Sequence, residues 1–167
     1  QTCALPISGL TSDKLVSYLS TAHCFIIQSK SCSGDLDTKL ACTFGESLEL
    51  VDVVLRSRTI LGRWYLGTFF KALAVNSTVT NLELCEDTLS TENINLLTEA
   101  LRVSTSLSSL DLRSNSIRNE GANSLALALR VNTSLSSLNL CSNSVGDEGA
   151  NSLAQVLRVS TSLSSFK

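Results

Sequence analysis

The chain has 167 residues, with 13 Lys and Arg, 15 Asp and Glu, one His and a formal net charge of −2. The basic residues are scattered, which argues against a nucleic-acid or anionic-membrane surface, since both need a concentrated basic face. No apolar run approaches about 20 residues, so nothing reads as a bilayer span.

Residues 1–7, QTCALPI, are what CAG ACG TGT GCT CTT CCG ATC encodes. That string resembles the end of a common short-read sequencing adapter; the alternative is an ordinary N-terminal segment that matches by accident. We set these residues aside from fold reasoning, as a non-native tail. The chain contains no methionine and stops within the strand that 163–167 would complete, so it reads as a translated piece of something longer.

Residues 8–49 read as degenerate N-terminal repeat or as a helical cap. Ser12 and Asp13 stand at a plausible helix start for 11–19, with Leu15 and Leu19 on one face. Phe25 and Ile27 then fit a strand, Cys32 a turn plug, and Leu40 and Phe44 a helix. From 50 to 167 the pattern strengthens. Leu50, Val53 and Leu55 form the next strand, with Leu55 standing where Ile27 stood, and Ile60, Phe69 and Leu73 continue into a helix. That helix has Tyr65 and Leu66 where later copies have Gly-Ala, so Trp64 and Tyr65 read as filling a widened gap rather than forming a ligand box. Val79, Leu82 and Leu84 begin another unit, with Leu89, Leu97 and Leu101 in its loop and helix.

Residues 107–134 and 135–162 are then nearly identical, and Leu107, Leu135 and Leu163 recur at one constant interval. Self-similarity at a period of about 28 residues marks a solenoid, in which each unit buries its apolar face against its neighbours. Alternation at Leu110 and Leu112 puts both on one strand face and turns Ser109, Asp111 and Arg113 to the other. Asn115 sits where the chain must turn, and a buried amide there both donates to and accepts from the backbone. Ile117 plugs the turn. Asn119 and Glu120 read as a helix start, Asn as N-cap and Glu complementing the helix dipole. Asp147 and Glu148 recur one unit on, Thr91 and Glu92 one unit back. Leu125 and Leu129 form the buried helix face, with Ala122, Ala126 and Ala128 keeping it low.

These residues resemble leucine-rich repeats of the ribonuclease-inhibitor-like class, whose unit reads LxxLxLxxNxI…GAxxLAxAL. The resemblance implies a right-handed α/β solenoid with a parallel sheet on the concave side and helices on the convex side. The class includes the ribonuclease inhibitor, the Ran GTPase-activating protein and the sensing ends of nucleotide-binding leucine-rich-repeat receptors; the wording here is closest to the receptors and to uncharacterised repeat proteins. Lys30, Arg58 and Asp87 replace the loop Asn in the early copies. Binding in the class uses side chains projecting from strands and following loops. The matching positions are Asn81, Glu83 and Cys85; Ser109, Asp111 and Arg113; and Ser137, Asn139 and Cys141, with Asp52, Val54 and Arg56 one unit earlier.

With Cys3 set aside, Cys24, Cys32, Cys42, Cys85 and Cys141 form neither a disulfide framework nor a CxxC zinc pair. Reduced, packed thiols fit an intracellular, cytoplasmic protein. Cys85 and Cys141 lie two strands apart, near 10 Å at about 4.8 Å per strand, too far for a disulfide; Arg113 between them is a candidate to lower a thiol pKa. His23 beside Cys24 points to the opposite strand face, so no nucleophile pair forms there. Asn76 and Asn132 head glycosylation-type triplets but fall at helix exits, where Asn serves the backbone. We therefore expect no cofactor, no metal and no catalysis. The expected role is a protein-interaction scaffold with an unidentified protein partner, part of a larger and receptor-like protein. The alternative is a regulator of another enzyme, an inhibitor or a GTPase activator. The last strand offers an unpaired edge, from which we expect self-association or fraying at 135–167.

Overall fold

The computed structural model describes residues 4–5, 24–27, 52–56, 63–85 and 89–167. The strands are β1 (Ala4–Leu5), β2 (Cys24–Ile27), β3 (Asp52–Arg56), β4 (Asn81–Cys85), β5 (Ser109–Asp111), β6 (Ser137–Asn139) and β7 (Ser165–Phe166). They lie in chain order in one sheet, each parallel to the next. Between successive strands from β3 onward run α1 (Arg63–Val75), α2 (Thr91–Val103), α3 (Arg118–Leu129) and α4 (Asp147–Leu157), and each helix packs against its neighbour in sequence. Parallel strands need a crossover between them, and from β3 onward every crossover carries a helix. The result is an open α/β solenoid.

The repeat arithmetic holds strand by strand. Leu82, Leu110 and Leu138 are direct partners across β4, β5 and β6, and all three are buried. The weak early copy is in register too: Phe25 pairs with Val53 and Ile27 with Leu55. Ala4 and Leu5, inside the adapter-like segment, pair with Ile26 and Ile27. Expectations resting on residues 11–19, His23, Lys30, Cys32, Leu40, Cys42, Phe44, Leu50, Arg58, Ile60 and Asp87, and on the side chains of Val54, Arg56, Trp64 and Tyr65, fall outside what is described.

The core lies between sheet and helices, and Leu107, Leu112, Ile117, Leu125 and Leu129 all enter it as their spacing requires. Phe70 is buried beside Leu73, while Phe69 packs at the margin of the core against the Phe70 ring. Burying side chains of this kind stabilises by about 1.5–3 kcal/mol each. No single unit encloses such a core alone.

Polar seams join the units. Asn115 is fully buried, and its Nδ2 donates to the carbonyls of Leu84 (2.6 Å), Leu112 (2.8 Å) and Arg113 (3.1 Å). Asn143 repeats this toward Leu112, Leu140 and Cys141, while its Oδ1 accepts from the Asn115 and Ile117 amides. One amide thus ties two units together. Asn132 is likewise buried, donating to the Leu101 carbonyl at 2.7 Å and accepting from the Ser134 and Leu135 amides. Asn76 accepts from the Thr78 and Val79 amides. Both serve the backbone, as their position at the helix exit requires. A serine seam runs beside them: Ser108 Oγ donates to the Thr80 carbonyl, Ser136 to Ser108, and Ser164 to Ser136. The turns around each buried Asn are tight. Ser114, Ser116, Ser142 and Ser144 adopt φ between 52° and 59°, and Arg118 58°, a region costing non-glycine residues about 1–2 kcal/mol.

The helix starts differ from the sequence expectation. α3 begins at Arg118 with Ile117 at its N-cap, which makes no side-chain cap bond, and α4 begins at Asp147 with Gly146 there. Asn119 lies inside α3 and caps the next helix instead: its Oδ1 accepts from the Gly146 amide at 2.8 Å and the Gly149 amide at 3.3 Å. In α2 the cap is Ser90, whose Oγ accepts from the Asn93 amide. The first-turn acids Glu92, Glu120, Asp147 and Glu148 stand where the helix dipole favours them. Gly149 allows this close approach, since a Cβ there would meet Ala122 Cβ at 2.8 Å and the Asn119 backbone at 3.1 Å. Asn93 occupies the matching position of α2, buried, with its Oδ1 lacking a hydrogen-bond partner.

Candidate functional site

The strand positions chosen from sequence form a grid on the face opposite the core. Asn81, Ser109 and Ser137 are one row of register partners, and Glu83, Asp111 and Asn139 the next. Cys85, Arg113 and Cys141 follow at the ends of the strands. The alternation that buries Leu82 and Leu84, Leu110 and Leu112, and Leu138 and Leu140 turns these positions to the other face, where Cys85 alone among the nine is buried.

Five of the nine side chains make one connected network. Arg113 Nη2 donates to Glu83 Oε1 at 2.9 Å and lies 3.3 Å from Asp111 Oδ2. Its Nε donates to Cys85 Sγ at 3.4 Å. Asn139 Nδ2 donates to Asp111 Oδ2 at 3.1 Å, and the Cys141 amide donates to Asn139 Oδ1. Asp111 Oδ1 also accepts from the Arg113 amide, locking the strand exit. To one side, Asn81 Nδ2 donates to Asp52 Oδ1. Ser109 and Ser137 form a low, half-buried step in the row beside the network.

Cys85 is a free, packed thiol, as expected. Its thiol is buried at 3% exposure, and burial is the largest influence pushing its pKa up from 9.0 to about 11. The Arg113 hydrogen bond acts the other way, but Asp111 and Glu83 add to the rise. Arg113 stands where it was expected and does act to lower the thiol pKa, but burial outweighs it and the carboxylates that hold the guanidinium also oppose a thiolate. Arg113 in turn is held above its ordinary pKa, by the Cys85 hydrogen bond first and then by Asp111 and Glu83. Cys141 is exposed.

A thiol kept protonated is a weak nucleophile. What the grid offers is recognition: a cation fixed by two acids, with amide and hydroxyl groups around it. Arg113 remains 47% exposed while engaged, so it is presented rather than consumed. The cross-strand link from Asn139 to Asp111 was not foreseen; the signal was available, since the two stand one period apart and so are register partners.

Residues 103–126 and 131–154 each match the family model described as "Leucine Rich repeat". No curated protein matches the chain in sequence. Among solved structures, one titled "Leiomodin-1 Actin-Binding Site 2 (ABS2)" superposes with a TM-score of 0.57 at 24% identity, over 60% of this chain and 60% of that one. The chain therefore spans less than two thirds of that relative. The chain carries leucine-rich repeats, and its fold is an α/β leucine-rich-repeat solenoid.

Proposed function

We propose that this chain is a non-catalytic protein-interaction scaffold whose concave strand face takes the partner. Leucine-rich-repeat domains generally bind proteins, and the solved neighbour is an actin-binding region; that likeness is one of fold, so actin is not carried over. The observation that carries the reading is Arg113, fixed by Glu83 and Asp111 yet half open to solvent. A preorganised cation loses little rotamer freedom when a carboxylate-bearing partner arrives. The scattered charge supports a protein partner over nucleic acid. The ribonuclease-inhibitor-like wording of the repeat supports a place in a larger, receptor-type protein, and thiols without a disulfide pattern support a cytoplasmic setting. A photo-crosslinker at Ser109 or Ser137 should capture the partner, and one at Asn151 in α4 should not. Capture from Asn151 alone would sink the reading.

A regulator of enzyme turnover is the competing role. Stimulated hydrolysis across a panel of small GTPases, or inhibition of a ribonuclease, would favour it. A nucleotide-binding module in the parent transcript would favour the sensor. Self-association through the β7 end is part of the same proposal. Phe166 is 39% exposed there, beside a cleft lined by Leu140, Val145, Leu153 and Leu157.

A further inference from the structure

Val75, Val103, Val131 and Val159 hold the same place in successive units and are exposed at 75%, 60%, 53% and 70%. Each stands at the C-terminal end of its helix: Val75 and Val103 close α1 and α2, and Val131 and Val159 follow the caps of α3 and α4. Stacking puts them in one line along the edge where helices return to the sheet, roughly 8–10 Å from one to the next if the helices pack at ordinary separations. Immediately before three of them come Arg102, Arg130 and Arg158, all exposed. Among the described residues, no hydrogen bond or ion pair engages any of these three guanidinium groups. The edge is therefore a ladder of alternating apolar and cationic groups.

The packing of the repeat does not require this ladder. Valine is β-branched and a weaker helix former than the alanine or lysine that would serve at an exposed helix end. A comparison within the chain is more telling. The position four residues before each valine, on the same helices, is Lys71, Glu99, Leu127 and Gln155, different in every copy. The valine is the same in all four, including units whose other motif residues have drifted, such as Asn93 in place of Gly. Simple copying of the repeat would preserve both positions alike. A single exposed valine is unremarkable, but four in register are a continuous surface. The surface also has depth: between α3 and α4 lies a groove of about 350 Å³, lined by Ala126, Leu127, Val156 and Val159 together with Arg130 and the polar side chains of Asn123, Ser152 and Gln155.

We infer that this helix-end edge is a second docking surface, which takes an acidic segment of a partner protein. Leucine-like side chains of the segment would seat on the valines and in the α3–α4 groove, and its carboxylates would meet Arg102, Arg130 and Arg158. Charge complementarity selects this occupant. The edge carries Lys71 and three arginines against one acid, Glu99, while the first-turn acids Glu92, Glu120, Asp147 and Glu148 lie at the opposite ends of the helices. A segment in the polyproline-II conformation has three residues per turn and rises about 3.1 Å per residue, so apolar side chains at every third residue share one face at about 9 Å and match the ladder. This surface is separate from the strand face, and either can fail without the other.

The test is fluorescence anisotropy of the full chain with a labelled synthetic peptide carrying leucine at every third position and mostly glutamate between. Binding is expected, weakening with added salt. It should fall by about tenfold or more in the triple variant V103S, V131S and V159S, and likewise in R102E, R130E and R158E. These positions are exposed, so circular dichroism should show both variants folded. R113A, on the strand face, should bind as the parent does. The proposal is overturned if a peptide with lysine in place of glutamate binds as well, or if neither triple variant changes the affinity. It is equally overturned if the valines govern self-association of the chain, or if the edge binds phosphatidylserine vesicles and not the peptide.

Discussion

Asn119 Oδ1 accepts the Gly146 amide hydrogen at 2.8 Å, so a side chain in one helix caps the helix of the following unit. The donors that a helix leaves open at its start are thereby satisfied by a neighbour rather than by local sequence. Asn119→Ala should destabilise the chain by about 1 kcal/mol, the ordinary worth of an N-cap. Amide exchange should show it first at Gly149, ahead of α3. Unchanged protection at both Gly146 and Gly149, the two amides that donate to Asn119 Oδ1, would mean that the cap contributes nothing.

Asn143 spans two units, with three carbonyls accepting from its Nδ2 and two amides donating to its Oδ1. Asn143→Ala leaves several buried groups without partners, at about 1–3 kcal/mol each before relaxation. We expect a loss of about 3 kcal/mol or more in denaturant unfolding, well beyond the Asn119 variant.

Asn93 offers the opposite sign. Its buried Oδ1 has no partner, and its amide bond to Ser90 Oγ belongs to the backbone. Asn93→Ala removes the orphaned oxygen and improves helix propensity, so the chain should gain about 1 kcal/mol. A thermal melt checks it; a lower midpoint would contradict the reading.

Cys85 is pushed up to about 11 from 9.0. The unfolded thiol ionises first as pH rises, so its contribution to stability is full below pH 9 and is lost between about pH 9 and 11. At pH 8, a thiol reagent should modify Cys141 much faster than Cys85. Equal rates would contradict both the burial and the shift. Cys85→Ala should flatten the alkaline fall in stability.

The sheet, its register and the buried leucines were legible in the sequence because a nearly constant period, 28 residues with one step of 29 between β3 and β4, leaves one consistent stacking. Phe25 and Ile27 show how far that reaches, for their unit is barely recognisable yet their pairing was right. What escaped was set by contacts between units. Asn119 read as a cap for its own helix because capping signals are local, whereas its partner lies on the next unit. The Cys85 shift escaped because spacing locates Arg113 without weighing burial against two carboxylates. The valine ladder was visible as a repeat, but exposure, which distinguishes it from the core leucines, is a property of the fold.

The interdependence of the units is tested most directly by methyl-to-methyl contacts in a leucine-labelled sample. Leu82 should lie close to Leu110, and Leu110 close to Leu138, as partners on successive strands. Absence of these contacts, or pairing of Leu110 at any other offset, would contradict it.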